Sequence, residues 1–331
     1  MDIDAVRTFV TIAREHSFSR AGGKLHRSQP AISRRIELLE QEFGVPLFER
    51  LRGGAALTDA GVALLPHAEA VLAAARDGAE AVRALTHGDL GTVSLALVGT
   101  LANSSLIRAL RKFQRRYPKV RLDLQTATSQ QVSELVRRGD ATLGLRYLDD
   151  RGSDLVARPV ASEALVVVCS RDHRLADGCR HRASELCGER WVAFPTRRSR
   201  ESFVQFLERR LLAAGLESPE IIPIDSLTAQ KRLVEAGFGI ALLAESGIQE
   251  ELRLKTLHKI DVPTLRSRVP VCVIHRRNGH LSPAARNLLS CMLPSGIVVS
   301  QTGRRAKSQA GADLAPADRN PPRHHSATAK P

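Results

Sequence analysis

No run of about 18 uninterrupted apolar residues occurs in the 331-residue chain, so nothing in it reads as a membrane-spanning helix. The N-terminus, Met1-Asp2-Ile3-Asp4, is acidic where a secretion signal would be basic. Together these absences set the expectation of a cytoplasmic protein with no membrane partner. The five cysteines (Cys169, Cys179, Cys187, Cys272 and Cys291) form no CxxC pair and are odd in number, which fits reduced thiols better than a disulfide framework. Buried packing is their default role; a redox exchange between Cys179 and Cys187 would need an activating cationic neighbourhood. Also missing are a GxSxG elbow, a GxxxxGK[ST] phosphate loop, an HExxH pair and a GxGxxG turn opening a helix after a strand. The eleven histidines are scattered. No catalytic residue, no metal ligand and no cofactor is expected, and the chain does not read as an enzyme.

What is present is enough for about two domains at roughly 150 residues each, with 43% apolar residues to build their cores. The formal charge of +14 calls for an anionic partner. Part of that charge sits in residues 301–331, where Arg304, Arg305, Lys307, Arg319, Arg323 and Lys330 outnumber Asp313 and Asp318. This stretch is rich in Ala, Pro, Arg and His without apolar periodicity, the composition of a disordered basic tail.

Val6, Phe9, Val10 and Ala13 fall at i, i+3, i+4 and i+7, which predicts an amphipathic helix from about Asp4 to Glu15. Ser17 is placed to cap a second, short helix through Leu25, within which Gly22 and Gly23 should each cost roughly 1 kcal/mol relative to alanine. After a turn at His26-Arg27, Ser28 is placed to cap a third helix, and Pro30 is tolerated in its first turn. Ile32, Ile36 and Leu39 form the inward stripe of that helix. Pro30, Arg34, Glu37 and Gln41 point the other way, with Gln29 and Ser33 on a flank near its start. Amide, hydroxyl and guanidinium groups can read base edges, Gln pairing with adenine, Arg with guanine and Ser with either. A solvated, capped helix face would look similar; the short helix, turn, helix spacing favours the base-reading surface.

Gly44-Val45-Pro46 then stops the helix, and Arg50 to Leu57 reads as two short strands around a Gly-Gly turn, a wing on which Arg50 and Arg52 can grip phosphate. From Thr58 to about Leu85 an alanine-rich periodic segment carries Val62, Leu65, Val71, Leu72, Ala75, Val82 and Leu85. A helix of this length usually needs a partner for its stripe, which makes it a dimerisation helix, with packing on its own domain as the alternative. Beyond residue 88 the texture changes to strand, helix, strand, helix, strand up to Tyr147, the signature of a mostly parallel sheet covered on both faces. The pattern restarts with paired strands at Leu155 to Val160 and Ala164 to Cys169, and further strands and helices run to Met292. Two similar lobes with a crossing chain make the layout of a hinged small-ligand binder.

The segment from Phe18 to Gly61, SFSRAGGKLHRSQPAISRRIELLEQEFGVPLFERLRGGAALTDAG with its leading Ser17, resembles the winged helix-turn-helix of the LysR-type transcriptional regulators, and the resemblance continues more loosely to about Val299. It implies an α/β protein with an N-terminal all-α winged helix-turn-helix head (1–58) and a long linker helix that dimerises (59–88). It also implies a two-lobed effector domain (89–300) resembling periplasmic binding proteins. Lobe I takes about 91–160 and 266–300 and lobe II about 161–265, ahead of the tail at 301–331. Base contacts are then implied at Ser28, Gln29, Pro30, Ala31, Ser33 and Arg34. The effector cleft is implied at Gly99 to Asn103, Thr126 to Ser129, Phe194 to Arg197 and Gly237 to Ala241.

Ligands of open α/β sheets sit beyond the carboxyl ends of strands, at helix starts with free N–H groups. Thr100, Asn103, Thr128, Ser129 and Thr196 occupy such places, and Arg146 and Arg197 add positive charge, which points to a small anion such as a carboxylate. Ser and Thr there also serve as caps, and Arg197 to Arg200 also suits a solvated loop or a subunit contact. The expected function is a sequence-specific DNA-binding regulator whose DNA geometry is tuned by that effector. Its partners are an operator duplex, a second copy in a dimer or tetramer, and RNA polymerase. A ligand-binding protein, or an architectural DNA-binding protein without effector control, remains the alternative.

Overall fold

A computed structural model describes residues 1–51, 53–87, 91–102, 104–150, 152–193, 203–217 and 219–293; the expected tail at 301–331 lies outside them. Helix α1 (Ile3–Glu15) starts where the Asp2 carboxylate accepts the Ala5 N–H at 2.7 Å, and its stripe of Val6, Phe9, Val10 and Ala13 is buried as the spacing predicts. Helix α2 (Phe18–Leu25) is capped by Ser17, which accepts from the Arg20 N–H, and α3 (Gln29–Phe43) ends at Gly44 in the left-handed region. Ile32, Ile36 and Leu39 of α3 close the core against Phe9 and Phe48, whose rings lie 5.3 Å apart. The Gly22-Gly23 pair, unfavourable by helix propensity, has a packing reason at its first position. A Cβ on Gly22 would lie 2.7 Å from the Arg27 carbonyl oxygen, while one on Gly23 would meet nothing within 4 Å. Gly22 lets the turn close onto α2, and the Arg27 N–H donates to its carbonyl at 2.9 Å.

Strands β1 (Phe48–Leu51) and β2 (Gly54–Leu57) pair antiparallel as the wing. Two contacts aim it: the Ala55 N–H donates to the His16 carbonyl at 2.9 Å, and Glu40 of α3 accepts from the Leu47 and Phe48 N–H groups at 2.6 and 3.1 Å. Thr58 then ties the start of α4 (Asp59–His87) to the loop before the wing. Its hydroxyl donates to the Pro46 carbonyl at 2.7 Å and accepts from the Gly61 N–H at 3.1 Å. A Cβ on Gly61 would stand 2.2 Å from the Leu47 carbonyl oxygen, so the Leu-Thr-x-Ala-Gly stretch is the socket of the linker helix.

The first half of α4 packs on its own head through the buried Ala68 and the partly buried Leu64, Leu65 and Leu72. Further on it leans on the end of α6, where Glu69 accepts from Arg14 at 3.2 Å and from Arg138 at 3.0 Å, and Asp140 pairs with Arg14 at 3.1 Å and Arg76 at 3.0 Å. Val62 and Val71 stay exposed on another side of α4.

The expected strand and helix alternation is present as β3 (Gly91–Leu97), α5 (Ser104–Arg116), β4 (Val120–Thr126), α6 (Ser129–Arg137) and β5 (Leu143–Tyr147). Strand β3 lies parallel between β4 and β5. One face of this sheet is covered by Leu106, Leu110 and Phe113 of α5, the other by Val132 and Val136 of α6.

Where two paired strands were expected, one strand, β6 (Leu155–Ser170), runs unbroken for 16 residues. No Gly, Asn or Asp stands between Val160 and Ala164 to reverse the chain, and the pairing partner lies far downstream. It is joined in order by β7 (Trp191–Ala193), α7 (Phe203–Ala213), β8 (Ile221–Pro223), α8 (Leu227–Glu235), β9 (Ala241–Ala244), α9 (Gln249–Leu254), β10 (Leu257–Ile260), β11 (Ser267–Arg276) and α10 (Pro283–Met292). Strand β11 pairs with both β5 and β6, its register shifting between Val271 and Cys272, while the far end of β6 pairs with β9 and β10. The two lobes are therefore joined by β6 going out and β11 coming back.

Gly22→Ala is expected to destabilise the head by about 1–3 kcal/mol, because backbone must shift to admit the methyl group. Gly23→Ala should stabilise it by roughly 0.5–1 kcal/mol. Hydrogen exchange of the α1 to α3 amides in the full-length variants reads both; equal behaviour of the two would contradict the close approach at Gly22.

Candidate functional site

The first turn of α3 is open to solvent. Ser28, Gln29, Pro30, Ala31 and Arg34 are exposed while Ile32, Ile36 and Leu39 are buried. Ser28 does not cap with its side chain as expected, so the N–H groups of Gln29 and Ala31 and the Ser28 hydroxyl stand at an unblocked, electropositive helix end. Arg34 is 66% exposed, and its nearest acid, Glu37, is 3.7 Å away, a contact too loose and too solvated to hold the guanidinium in place. Arg35, half-buried, faces Asp4 of α1 at a similarly loose 3.8 Å. Ser33 departs from the expectation. It is buried, 9% exposed, and its hydroxyl accepts from the Gln29 side-chain amide at 3.0 Å, so it faces another side chain and not the open surface. On the wing, Arg50 belongs to β1 but its side chain lies outside the described residues, as does Arg52.

At the other end of the molecule, the chain leaves β3 toward α5 and returns from α6 into β5 on the opposite side of β3. That reversal of strand order opens a crevice at the carboxyl ends of β3 and β5. Thr100, in the turn after β3, donates to the Tyr147 hydroxyl at 2.9 Å across this crevice. Burial pushes the Tyr147 phenol up to about 12, so it is a neutral hydrogen-bonding group throughout the physiological range. The Gly99–Leu101 turn meets the Glu245–Gly247 turn of the second lobe, which marks where the lobes face each other.

The other expected effector residues divide. Thr128 caps α6, accepting from the Gln131 N–H at 3.3 Å while the Gln131 side chain accepts from the Thr128 N–H at 3.0 Å; Ser129 opens that helix, half-buried. Asn103, Thr196 and Arg197 lie outside the described residues.

Arg146 is not placed as expected. It is 5% exposed and committed inward, donating to the Ser133 hydroxyl at 2.7 Å and pairing with Asp150 at 2.8 Å. Asp150 also takes Arg137 at 2.6 Å. Burial works against the Asp150 carboxylate, but hydrogen bonds from Ser133 and the Gly152 N–H, with the two guanidinium groups, outweigh it and hold its pKa below the usual carboxylate range. A strand-end arginine is spent on stapling β5 to α6 and the following loop.

Comparison with known proteins decides the family. Residues 3–62 match the model of the bacterial regulatory helix-turn-helix proteins of the lysR family, and residues 86–295 match that of the LysR substrate binding domain. The chain belongs to the LysR family. It is a LysR-type DNA-binding transcriptional regulator with an effector-binding domain. The HTH-type transcriptional regulator CfxR of Cupriavidus necator is 29% identical over 288 residues, 87% of this chain and 90% of that one. The RuBisCO operon transcriptional regulator of Allochromatium vinosum is 29% identical over 280 residues, 85% of this chain and 91% of that one. Full-length CbnR solved with its target DNA superposes with a TM-score of 0.62 at 27% identity, covering 88% of this chain and 99% of that one. No helix among the described residues of this LysR-family chain is long and apolar enough to cross a membrane, nor do those residues gather a metal-binding cluster.

Tyr147 escaped the sequence reading of this regulator, although its place at the end of the strand that closes the strand, helix, strand, helix, strand run was the available signal. Asp150 escaped too, and its i+4 spacing from Arg146 was visible. Asp150→Asn would leave Arg146 buried without its counter-charge, at an expected cost of about 3 kcal/mol in urea unfolding at neutral pH. The Asp150 pKa is lowered on folding, so its contribution is fully present above the unfolded carboxylate pKa of about 4 and is lost as pH falls through the folded value. The variant should therefore lose stability at neutral pH but show a shallower acid decline than the parent; parallel acid profiles would contradict the assignment.

Proposed function

We propose that this regulator reads a specific operator with the exposed first turn of α3 and that a small anionic effector at the lobe junction changes how its heads are spaced on the duplex. The observation that carries the first part is the exposed polar start of α3 on a rigid apolar back. Gln29 and Arg34 stand in water, with Ile32, Ile36 and Leu39 sealed behind them. A helix of this kind fits the major groove, its open N-terminal N–H groups meeting phosphate and its side chains meeting base edges. Ser28, Pro30 and Ala31 form the shoulder that approaches the backbone, and Arg50 and Arg52 of the wing are assigned to neighbouring phosphates.

Val62 and Val71 along α4 support a dimer through the linker helix, since the other side of the same helix is already used on its own head. Two heads of such a dimer occupy successive major grooves about one helical turn, or a multiple of it, apart. For the effector, Thr100 and the neutral Tyr147 hydroxyl offer hydrogen bonds at the carboxyl ends of β3 and β5, and Thr128, Ser129, Asn103, Thr196 and Arg197 are assigned to the same cleft. With Arg146 neutralised by Asp150, the positive charge for a carboxylate falls to Arg197. Closure of the lobes on the ligand shifts the population between two arrangements of the heads, by no more than the ligand's difference in affinity for them. The cell compartment is the cytoplasm, where operator and polymerase are found.

Arg34→Ala is expected to cost about 1–3 kcal/mol at one base position of a selected operator and to relax the preference there. Quantitative footprinting of the full-length protein on single-base operator variants measures it. Equal weakening on every sequence would make Arg34 a phosphate contact, and an absence of any sequence preference in the parent would favour the architectural alternative.

A further inference from the structure

The two helical layers over the sheet of the first lobe differ in how their charges are met. On the α6 side the arginines are committed: Arg137 pairs with Asp150 at 2.6 Å and Asp154 at 2.7 Å, Arg138 with Glu69 at 3.0 Å, and Arg146 with Asp150 at 2.8 Å. The α5 side is the reverse. No Asp or Glu stands between Asp89 and Asp123 in the sequence, and α10, which packs beside α5 over the same apolar core, adds Arg286 and no acid. Arg108, Arg111, Lys112, Arg115, Arg116 and Lys119 are all exposed. At about 100° per residue, Arg108, Arg111, Lys112 and Arg115 point away from the buried Leu106, Leu110 and Phe113. Arg116 leans over the Tyr117 ring at 6.0 Å, and none of the six makes an ion pair with a described residue.

Solvation alone is the ordinary fate of exposed cations, but this arrangement works against its own helix. Arg108 and Lys112, Arg111 and Arg115, Lys112 and Arg116, and Arg115 and Lys119 are like charges four residues apart, which repel. The helix dipole favours only the pair in the last turn, Arg115 and Arg116. An external polyanion would turn that repulsion into attraction. From residue 108 to residue 116 the helix rises about 12 Å, a length over which a DNA duplex presents roughly seven phosphate charges. The chemistry of the face narrows the choice of polyanion. Unpaired bases call for exposed rings to stack on, yet Phe113 is fully buried and Tyr117 half-buried. A membrane surface calls for apolar side chains among the cations, and Ile107 is the only large apolar side chain exposed on α5. A double-stranded backbone asks for neither.

We propose that the outer side of α5 is a second contact for duplex DNA, gripping the sugar-phosphate backbone through Arg108, Lys112 and Arg115 without reading sequence. It draws on the DNA-binding role of the family and not on which side chains of α3 meet the bases. The duplex is either the flank of the bound operator, bent back onto the lobe, or a separate segment that the protein bridges; the phosphate chemistry is the same in both. Each phosphate neutralised releases counterions, so three such contacts add about 2 to 3 to the slope of log affinity against log salt. Because the heads already hold DNA, the second contact acts at high local concentration and needs little affinity of its own.

The experiment compares the full-length parent with a triple variant, Arg108→Gln with Lys112→Gln and Arg115→Gln, across a salt series. Three DNA arms are used: an operator duplex without flanks, the same operator with long flanks, and an operator-free duplex offered to protein already holding the short operator. The parent should show the extra slope in the second arm if the flank is the partner, or capture the added duplex in the third if a separate segment is. The triple variant should lose that gain and match the parent on the short operator. Arg108→Lys with Arg115→Lys keeps the charge and should keep the gain. So should a control that removes as much charge at other exposed positions, Arg180→Gln with Arg209→Gln and Arg253→Gln. Thermal unfolding of the triple variant should hold or rise, since like charges are removed. The proposal is overturned if the parent gains nothing in either arm, if the triple variant keeps the gain, or if the control loses it equally, which would make bulk charge the cause. It is overturned as well if sedimentation shows the triple variant falling to a smaller assembly, which would make this side of α5 a contact between copies of the chain.

Discussion

Glu69 ties the molecule together. Its carboxylate sits on the linker helix and accepts from Arg14 of the head and from Arg138 at the end of α6, with Asp140 closing the ring through Arg14 and Arg76. An isolated ion pair in water contributes little because ordering two long side chains offsets most of the attraction. The Glu69 side chain is 12% exposed, however, and the Arg14 guanidinium it holds is shared with Asp140, so the linked pairs fix geometry better than separate ones would. Gly139, in the left-handed region, brings the turn between Arg138 and Asp140 flat against Ala73 of the linker. Any rotation of the first lobe against α4 must carry this turn with it or pull Arg138 away from Glu69.

The head is built so that little else disturbs it. Its caps and clasps are short range: Asp2 on Ala5, Ser17 on Arg20, Gln29 on Ser33, Glu40 on the two residues that start the wing. Gly22 and Gly61 let backbone approach backbone where a methyl group would not fit, which sets the angle between α2 and α3 and the socket of α4. Apolar residues behind α3 then hold its polar face outward without contributing to it chemically.

This division explains what could be seen in the sequence. Helix periodicity located α1 to α3, and the Gly-Gly turn located the wing, because those features depend on neighbours within a few positions. The alternation of strands and helices from β3 to β5 was equally local. Strand β6 was misread because continuity depends on β11, about a hundred residues downstream, and nothing in the segment itself announces that partner. Arg146 was misread for a related reason: its position at a strand end is legible, but whether its charge is spent on Asp150 and Ser133 depends on how α6 packs. Ser33 lay on a flank by angle alone, and only the packing of the core shows that the flank is covered. Site chemistry was therefore legible as residue types, and illegible wherever a second side chain decides which hydrogen or charge remains available.

The two ends of the protein differ in how they can be changed. The first lobe and the linker bear on the head at Arg14, near the end of α1, through Asp140 and Glu69, whereas the first turn of α3 is bonded within itself, Gln29 to Ser33 four residues away. On the function proposed for this chain, an effector can then alter the angle and spacing at which a head is offered to DNA while leaving the donor and acceptor pattern on α3 untouched. On that reading base preference and effector response would be separable, the first resting on the start of α3 and the second on contacts such as the ionic ring, which spans 126 positions of sequence from Arg14 to Asp140. A regulator of that kind would keep the same operator in both states and change how firmly, and with what bend, its heads hold it.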